Sequence, residues 1–289
     1  MEAFKERVTH GYIYKGNIPA YPRPEFHVSH LKHDTNQDGL RGIRKDNGFK
    51  SPGKGSLLWW SLVVGPDEIT LAEKRLLETT YPDRTEEQAQ TQQSFLGKFA
   101  TSQAFKKSSR QGSYRFTFPL EEVLQAFGDQ VCFGAQPVMR VFRTELHKTE
   151  VMYTVLVHSP TVEHLFSDLP LLSDDPNSVC SYKDGLFIWR SEAMCEEHRY
   201  KLVQKHDEKQ MEAEEVSFHK YYVWDHVGVA LHVDEHVLEF DADRLRENLK
   251  FCHRAKPAIN GSSFEQFDQA QEVVKELWPD CPSPLEKAE

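Results

Sequence analysis

The 289 residues carry 35 basic and 45 acidic side chains, a net charge of −10, which disfavours non-specific coating of nucleic acid through a broad positive surface and leaves room for a local basic groove. Hydrophobic residues make up 39% and aromatic residues 11%, enough to build a core in one large domain or two modest ones. Five cysteines with no CxxC pair speak against a disulfide scaffold and a zinc finger. No apolar run approaches the roughly 18 residues of a spanning helix, and the start MEAFKERVTH lacks the apolar segment of a signal peptide. The expectation is an intracellular protein, cytoplasmic or nuclear, with no membrane partner.

Residues 1–25 read as a lead-in, with a short strand at residues 12–14 and Pro19, Pro22 and Pro24 keeping the chain extended. Phe26-His27-Val28-Ser29-His30 alternates as a strand does. A short helix over residues 39–45 follows, stopped by Asn47-Gly48. The apolar run at residues 57–64, with Trp59, Trp60 and Ser61, is a second strand, and the spacing of Ile69, Leu71, Ala72, Leu76 and Leu77 predicts an amphipathic helix over 67–78. A further helix is expected over 86–99, with its glutamines on a solvated face. Residues 102–113 read as loop, 114–118 as strand and 120–127 as helix, with more strands at 138–142 and 151–157. The Pro- and Asp-rich stretch 159–177 is the best candidate boundary. Beyond it, 191–209 reads as helical, 186–189 and 221–232 as strands, and 241–251 and 264–277 as helices. The whole is an α+β mixture of strongly twisted, mixed sheets with short helices.

Five groups of residues carry candidate chemistry. A histidine on a strand can hold a polar ligand by a directional hydrogen bond, with a nearby hydroxyl sharing it, which singles out His27 and Ser29. Trp60 and Ser61 offer a ring and a hydroxyl on one strand. Glu150 opens an apolar strand, where a carboxylate is costly unless it is paired or used, with Glu145 in reserve. Arg44, Lys50, Lys106, Lys107 and Arg110 could meet phosphates. The run His232 to His236 reads as strand and turn, where the helical spacing of a shared metal ion fails, so no metal site is expected.

The run FHVSH … GLRGIRKDNGFK resembles the opening of the ADP-ribosyltransferase fold, in which a strand carries H-x-[ST] and a helix leads to a GF turn. It is similar in particular to the DNA-modifying ADP-ribosyltransferase toxins and to poly-ADP-ribose-polymerase-type catalytic domains, and the tRNA 2′-phosphotransferases share the pattern. The resemblance covers residues 26–160 and leaves 161–289 as an α+β extension of unknown role, separate or part of the same domain. It implies that His27 and Ser29 bind the nicotinamide ribose of NAD, that Trp60 and Ser61 line the nicotinamide, and that Glu150 acts on the sugar. The implied reaction is transfer of ADP-ribose from NAD to a nucleic acid or protein with release of nicotinamide. The family's Tyr-before-helix signature is not clear here. The alternative is a non-catalytic binding or interaction module with a degenerate nucleotide pocket.

Overall fold

The computed structural model describes residues 19–288 except 54, 148–149, 174, 222–223, 257, 259–260 and 282. The strand expected at residues 12–14 lies outside the described residues. The first part of the chain forms β1 (Glu25–Val28), β2 (His30–Thr35), α1 (Gln37–Asp46), β3 (Gly48–Phe49), β4 (Leu58–Leu62), α2 (Pro66–Thr80), α3 (Glu86–Thr91) and α4 (Leu96–Phe99). Next come β5 (Tyr114–Pro119), α5 (Leu120–Gln130), β6 (Val138–His147), β7 (Glu150–His158), β8 (Cys180–Lys183) and β9 (Leu186–Arg190). The last part holds β10 (Glu197–Lys205), β11 (Gln210–Tyr221), β12 (Trp224–Leu231), β13 (Leu238–Glu239), α6 (Ala242–Glu247), β14 (Leu249–Phe251), α7 (Phe267–Leu277) and β15 (Glu286–Lys287).

The protein is a mixed α+β structure around an eight-stranded sheet of order β15-β14-β5-β2-β4-β12-β7-β6. β12 runs parallel to β7 and antiparallel to β4, so a strand from beyond residue 160 joins two from before it. A three-stranded antiparallel sheet, β1-β9-β8, stands apart, and β10 and β11 form a long two-stranded ribbon.

Alternation divides the large sheet into two faces. Leu31, Trp60, Leu62, Phe116, Phe118, Val155, Val157, Val229 and Leu231 point one way and are buried. Leu40 and Ile43 of α1 are buried in the same core. Phe49 is the hub of an aromatic cluster, with ring centroids 4.8 Å from Trp60, 5.2 Å from His33 and from Phe116, and 5.7 Å from Phe240. The strand that delivers Phe49 demands glycine beside it. A Cβ on Gly48 would fall 2.3 Å from the Leu238 carbonyl of β13. Asn36 caps α1 through Gly39 N at 3.0 Å, and Asn47 ends it in the left-handed region.

The opposite face carries polar residues that are largely shielded: Lys32 and Arg115 are buried, and the Asp34 side chain is 12% exposed, under the segment 101–113. Arg115 binds Asp34 through two hydrogen bonds, 2.6 and 2.8 Å, and also donates to the carbonyls of Lys106 at 3.0 Å and Ser108 at 3.2 Å. Lys32 Nζ donates to the Gln103 carbonyl. Gly112 lets the segment close onto the sheet, since a Cβ there would fall 2.2 Å from the Thr35 carbonyl.

Three expectations are corrected. Residues 191–209 are not helical: they hold β10, in which Tyr200 and Leu202 pack inward with period two while Lys201 and Lys205 reach Glu214 and Glu212 across the ribbon. The helix expected over 86–99 is broken into α3 and α4. Gln92 leaves the helix to pair with both the N–H and the carbonyl of Met211, and Glu73 of α2 accepts from the N–H groups of Phe95 and Leu96 at 2.8 and 2.7 Å. The helix expected over 241–251 stops at Glu247, because residues 249–251 pair with β5 as a strand.

Burial pushes the Asp34 carboxyl up, but the charge and hydrogen bonds of Arg115 outweigh it and hold the group below the usual carboxylate range. Its contribution to stability is therefore complete above the unfolded value of about 3.9 and is lost as pH falls through the lower folded value. Asp34→Asn leaves a buried guanidinium without its anion and is expected to cost about 3–5 kcal/mol in urea unfolding at pH 7. The gap between wild type and variant should narrow below about pH 4.

Candidate functional site

His27 lies on β1, opposite Ile188 of β9, and therefore belongs to the small sheet. Its backbone N–H donates to Glu68 Oε1 of α2 at 2.5 Å, and its ring Nε2–H donates to Glu25 Oε1 at 2.9 Å. The second oxygen of Glu25 sits 3.0 Å from Arg190 Nε. Arg75 donates to the Glu25 carbonyl at 2.7 Å and also pairs with Glu68. His27 is thus one member of a chain of alternating charges that ties β1, β9 and α2 together. Ser29 is exposed at the junction of β1 and β2, where its hydroxyl lies 2.9 Å from His30 Nδ1 and its carbonyl accepts from Leu120 N–H at 2.8 Å.

Trp60 and Ser61 are neighbours on β4 and so face opposite ways. Trp60 is 1% exposed within the aromatic cluster. Ser61 lies on the polar face, its hydroxyl 3.2 Å from His226 Nε2. Glu150 opens β7, opposite His147 and beside Trp224 of β12. The side chains of Glu150 and Glu145 lie outside the described residues.

The basic residues separate by their partners. Arg44 donates to the Leu277 carbonyl at 2.9 Å and to Asn47 at 2.7 Å, with its guanidinium over the Trp278 ring. Lys50 pairs with Asp46. Lys106 and Arg110 converge on Glu196, Arg110 at 2.6 Å, and Lys107 is exposed. The aromatic residues interleaved with them face inward: Phe99 and Tyr114 are buried, and Phe105 stacks on Trp189 at 5.5 Å. Among the described residues no group of three or more His, Cys, Asp or Glu gathers as a metal site, and no helix is long and apolar enough to cross a membrane.

Beside the His27 network lies a cleft of about 740 Å³ between α2, the start of β1 and the segments 176–179 and 190–192. Arg23, Arg75 and Arg190 line it together with Glu25, Glu78 and Glu192, and Thr79, Asn177 and Ser178 supply neutral polar groups. Arg23 is 75% exposed and its contact with Glu192 is 3.9 Å long, so its guanidinium is the most open to a ligand. Trp60 and Ser61 are not among its described lining residues. Guanidiniums in such a cleft can bind a carboxylate or phosphate through paired hydrogen bonds. Among the described residues no aromatic ring lines the cleft to stack on a base.

Sequence reasoning missed Arg23, Arg75 and Arg190, which lie far apart in the chain on three different segments and carry no local motif. It also missed Glu73 and Glu196. Glu73 is 8% exposed in the middle of α2, where a lone acid in an amphipathic helix gives no sign of being buried.

The two faces of β4 predict two different outcomes. Trp60→Ala is expected to cost about 3–5 kcal/mol in chemical denaturation, the range for emptying a core aromatic site. Ser61→Ala should stay within about 1.5 kcal/mol, the worth of one hydrogen bond.

Compared with known proteins, the chain matches no family model, and neither a curated protein nor a solved structure is similar to it.

Proposed function

We propose that this chain is a non-catalytic binding module whose ligand is a polar molecule carrying a carboxylate or phosphate. The observation that carries the reading is the cleft of about 740 Å³ with Arg23, Arg75 and Arg190 in its wall. The volume suits a ligand of metabolite size. Arg75 and Arg190 are held in place by Glu68 and Glu25, so they are oriented before a ligand arrives, and orientation in advance lowers the entropy lost on binding. The diphosphate of an NAD- or ADP-ribose-like molecule is one anion of this class, which fits a degenerate nucleotide pocket.

The second reading is an ADP-ribosyltransferase-like domain that moves ADP-ribose from NAD to a nucleic acid or protein acceptor. It is favoured by the order of elements: a strand with His27, a helix, the Gly48-Phe49 turn, a strand with Trp60 and Ser61, and a later strand opened by Glu150. In that reading Glu150 stabilises the developing positive charge on the sugar, a role that needs one carboxylate near the ribose.

Calorimetric titration with NAD, ADP-ribose and ADP tests the first reading. Binding of at least one, weakened about tenfold or more by Arg23→Ala, is the expected result. Absence of binding by all three removes the diphosphate class. Incubation with radiolabelled NAD and mixed protein, DNA and RNA acceptors tests the second. No transfer is expected; label on an acceptor that disappears in Glu150→Gln overturns the non-catalytic reading.

A further inference from the structure

A second cleft, of about 570 Å³, lies on another part of the molecule, between α5, β6 and the segment around Leu171. Its apolar lining includes Leu124, Val138, Met139, Leu171, Leu172 and Tyr182. Exposed large apolar side chains gather here. Leu171 is 59% exposed and Tyr182 36%, and Phe133, at 79%, adjoins the lining residue Gly134. These are three of the five such side chains among the described residues, and a concentration of that kind marks an interaction surface rather than ordinary scatter.

The backbone supplies the second observation. Leu171 pairs with Arg140 of β6 in an antiparallel bridge. The flanking hydrogen bonds run from Val141 N–H to the Pro170 carbonyl and from Leu172 N–H to the Met139 carbonyl, both 2.9 Å. That pattern makes Arg140 and Leu171 a non-hydrogen-bonded pair, so the N–H and C=O of Leu171 point away from β6. They make no hydrogen bond among the described residues. The open edge of the eight-stranded sheet therefore presents one donor and one acceptor beside the apolar cleft, the arrangement that accepts an added strand.

The third observation is charge. Among the described residues, the ionised ones of the lining are Glu121 and Asp129, with no Lys or Arg. Glu121 acts on Tyr182, whose phenol is raised by burial and then by that carboxylate, so the acidic and apolar parts of the cleft adjoin.

We propose that this cleft docks an extended basic segment of a partner protein, which adds a strand at Leu171, seats an apolar side chain between α5 and β6, and sets Lys or Arg against Glu121 and Asp129. The proposal is independent of the arginine-lined cleft and of any ligand there.

The test is fluorescence anisotropy with a short labelled peptide that alternates Lys with Leu and Phe, added to the full chain. Binding with a dissociation constant on the order of 10 μM is expected. A twin peptide with Glu in place of Lys should bind at least about tenfold more weakly. Glu121→Lys with Asp129→Lys, and separately Leu171→Ser, should each weaken the basic peptide by a similar factor, and methylation of alternate peptide nitrogens should abolish binding. Glu121→Gln with Asp129→Asn, which keeps side-chain shape, serves should the lysine variant fail to fold. Glu86→Lys with Glu87→Lys on the remote helix α3 is the control for general attraction to an acidic chain and should leave affinity unchanged. An equal loss in that control, equal binding of the two peptides, or no binding overturns the proposal. So does a dimer in sedimentation velocity that Leu171→Ser dissolves, since the occupant would then be a second copy of this chain.

Discussion

The structure depends on keeping Asp34 and Arg115 together in the dry space between the large sheet and the segment 101–113. A guanidinium and a carboxylate taken out of water lose hydration worth several kcal/mol each, and only close, multiply hydrogen-bonded contact offsets that loss. Arg115 meets the requirement by spending its donors on Asp34 and on the carbonyls of Lys106 and Ser108. The same donors fasten a segment without regular structure onto β2 and β5. Fixing that segment fixes Lys106 and Arg110, which grip Glu196 at the entry to β10. One buried pair thus positions a surface segment, and that segment helps position the ribbon β10–β11.

A similar logic shapes the small sheet. Glu25 and Glu68 hold His27, Arg75 and Arg190 in one network, and the cleft opens beside it. The side chains that make the sheet adhere to α2 are the ones a ligand would meet. A ligand anion there competes with carboxylates of the protein, so binding exchanges one set of ion pairs for another and its net strength depends on how completely the new geometry replaces the old. The cleft at Leu171 differs in lining: exposed hydrocarbon of Leu171 and Tyr182 lies there beside Glu121 and Asp129.

The elements with strong periodicity were legible in the sequence. The run of residues 57–64 contains β4, the spacing of Ile69 to Leu77 lies within α2, and the strands expected at 114–118 and 151–157 fall within β5 and β7. In each, the apolar face repeats at the period of the observed element, and local pattern and tertiary packing agree. Residues 191–209 failed because charge was read as helical surface, whereas Lys201 and Lys205 sit on the outer side of a ribbon and Tyr200 and Leu202 on the inner side. The polar stripe Lys32 and Asp34 was invisible for a related reason. Alternating polar residues on a strand normally face water, and only the later arrival of segment 101–113 buries them. The resemblance implies that His27 and Trp60 serve one NAD site, but His27 lies on β1 of the small sheet and Trp60 in the core of the large one, and no local pattern foretells which sheet a strand joins.

The place of β12 has a consequence for how the chain acquires its fold. β4 and β7 do not touch as neighbours; β12 stands between them and bonds to both. Without residues 224–231, β5-β2-β4 and β7-β6 have no strand to join them, and the facing edges of β4 and β7 keep unpaired backbone N–H and C=O groups. Closure by one parallel and one antiparallel pairing, across long stretches of sequence, is the kind of step that slows folding and leaves strand edges exposed to wrong partners. The last strand to join the middle of the sheet therefore decides when the molecule becomes a single cooperative body.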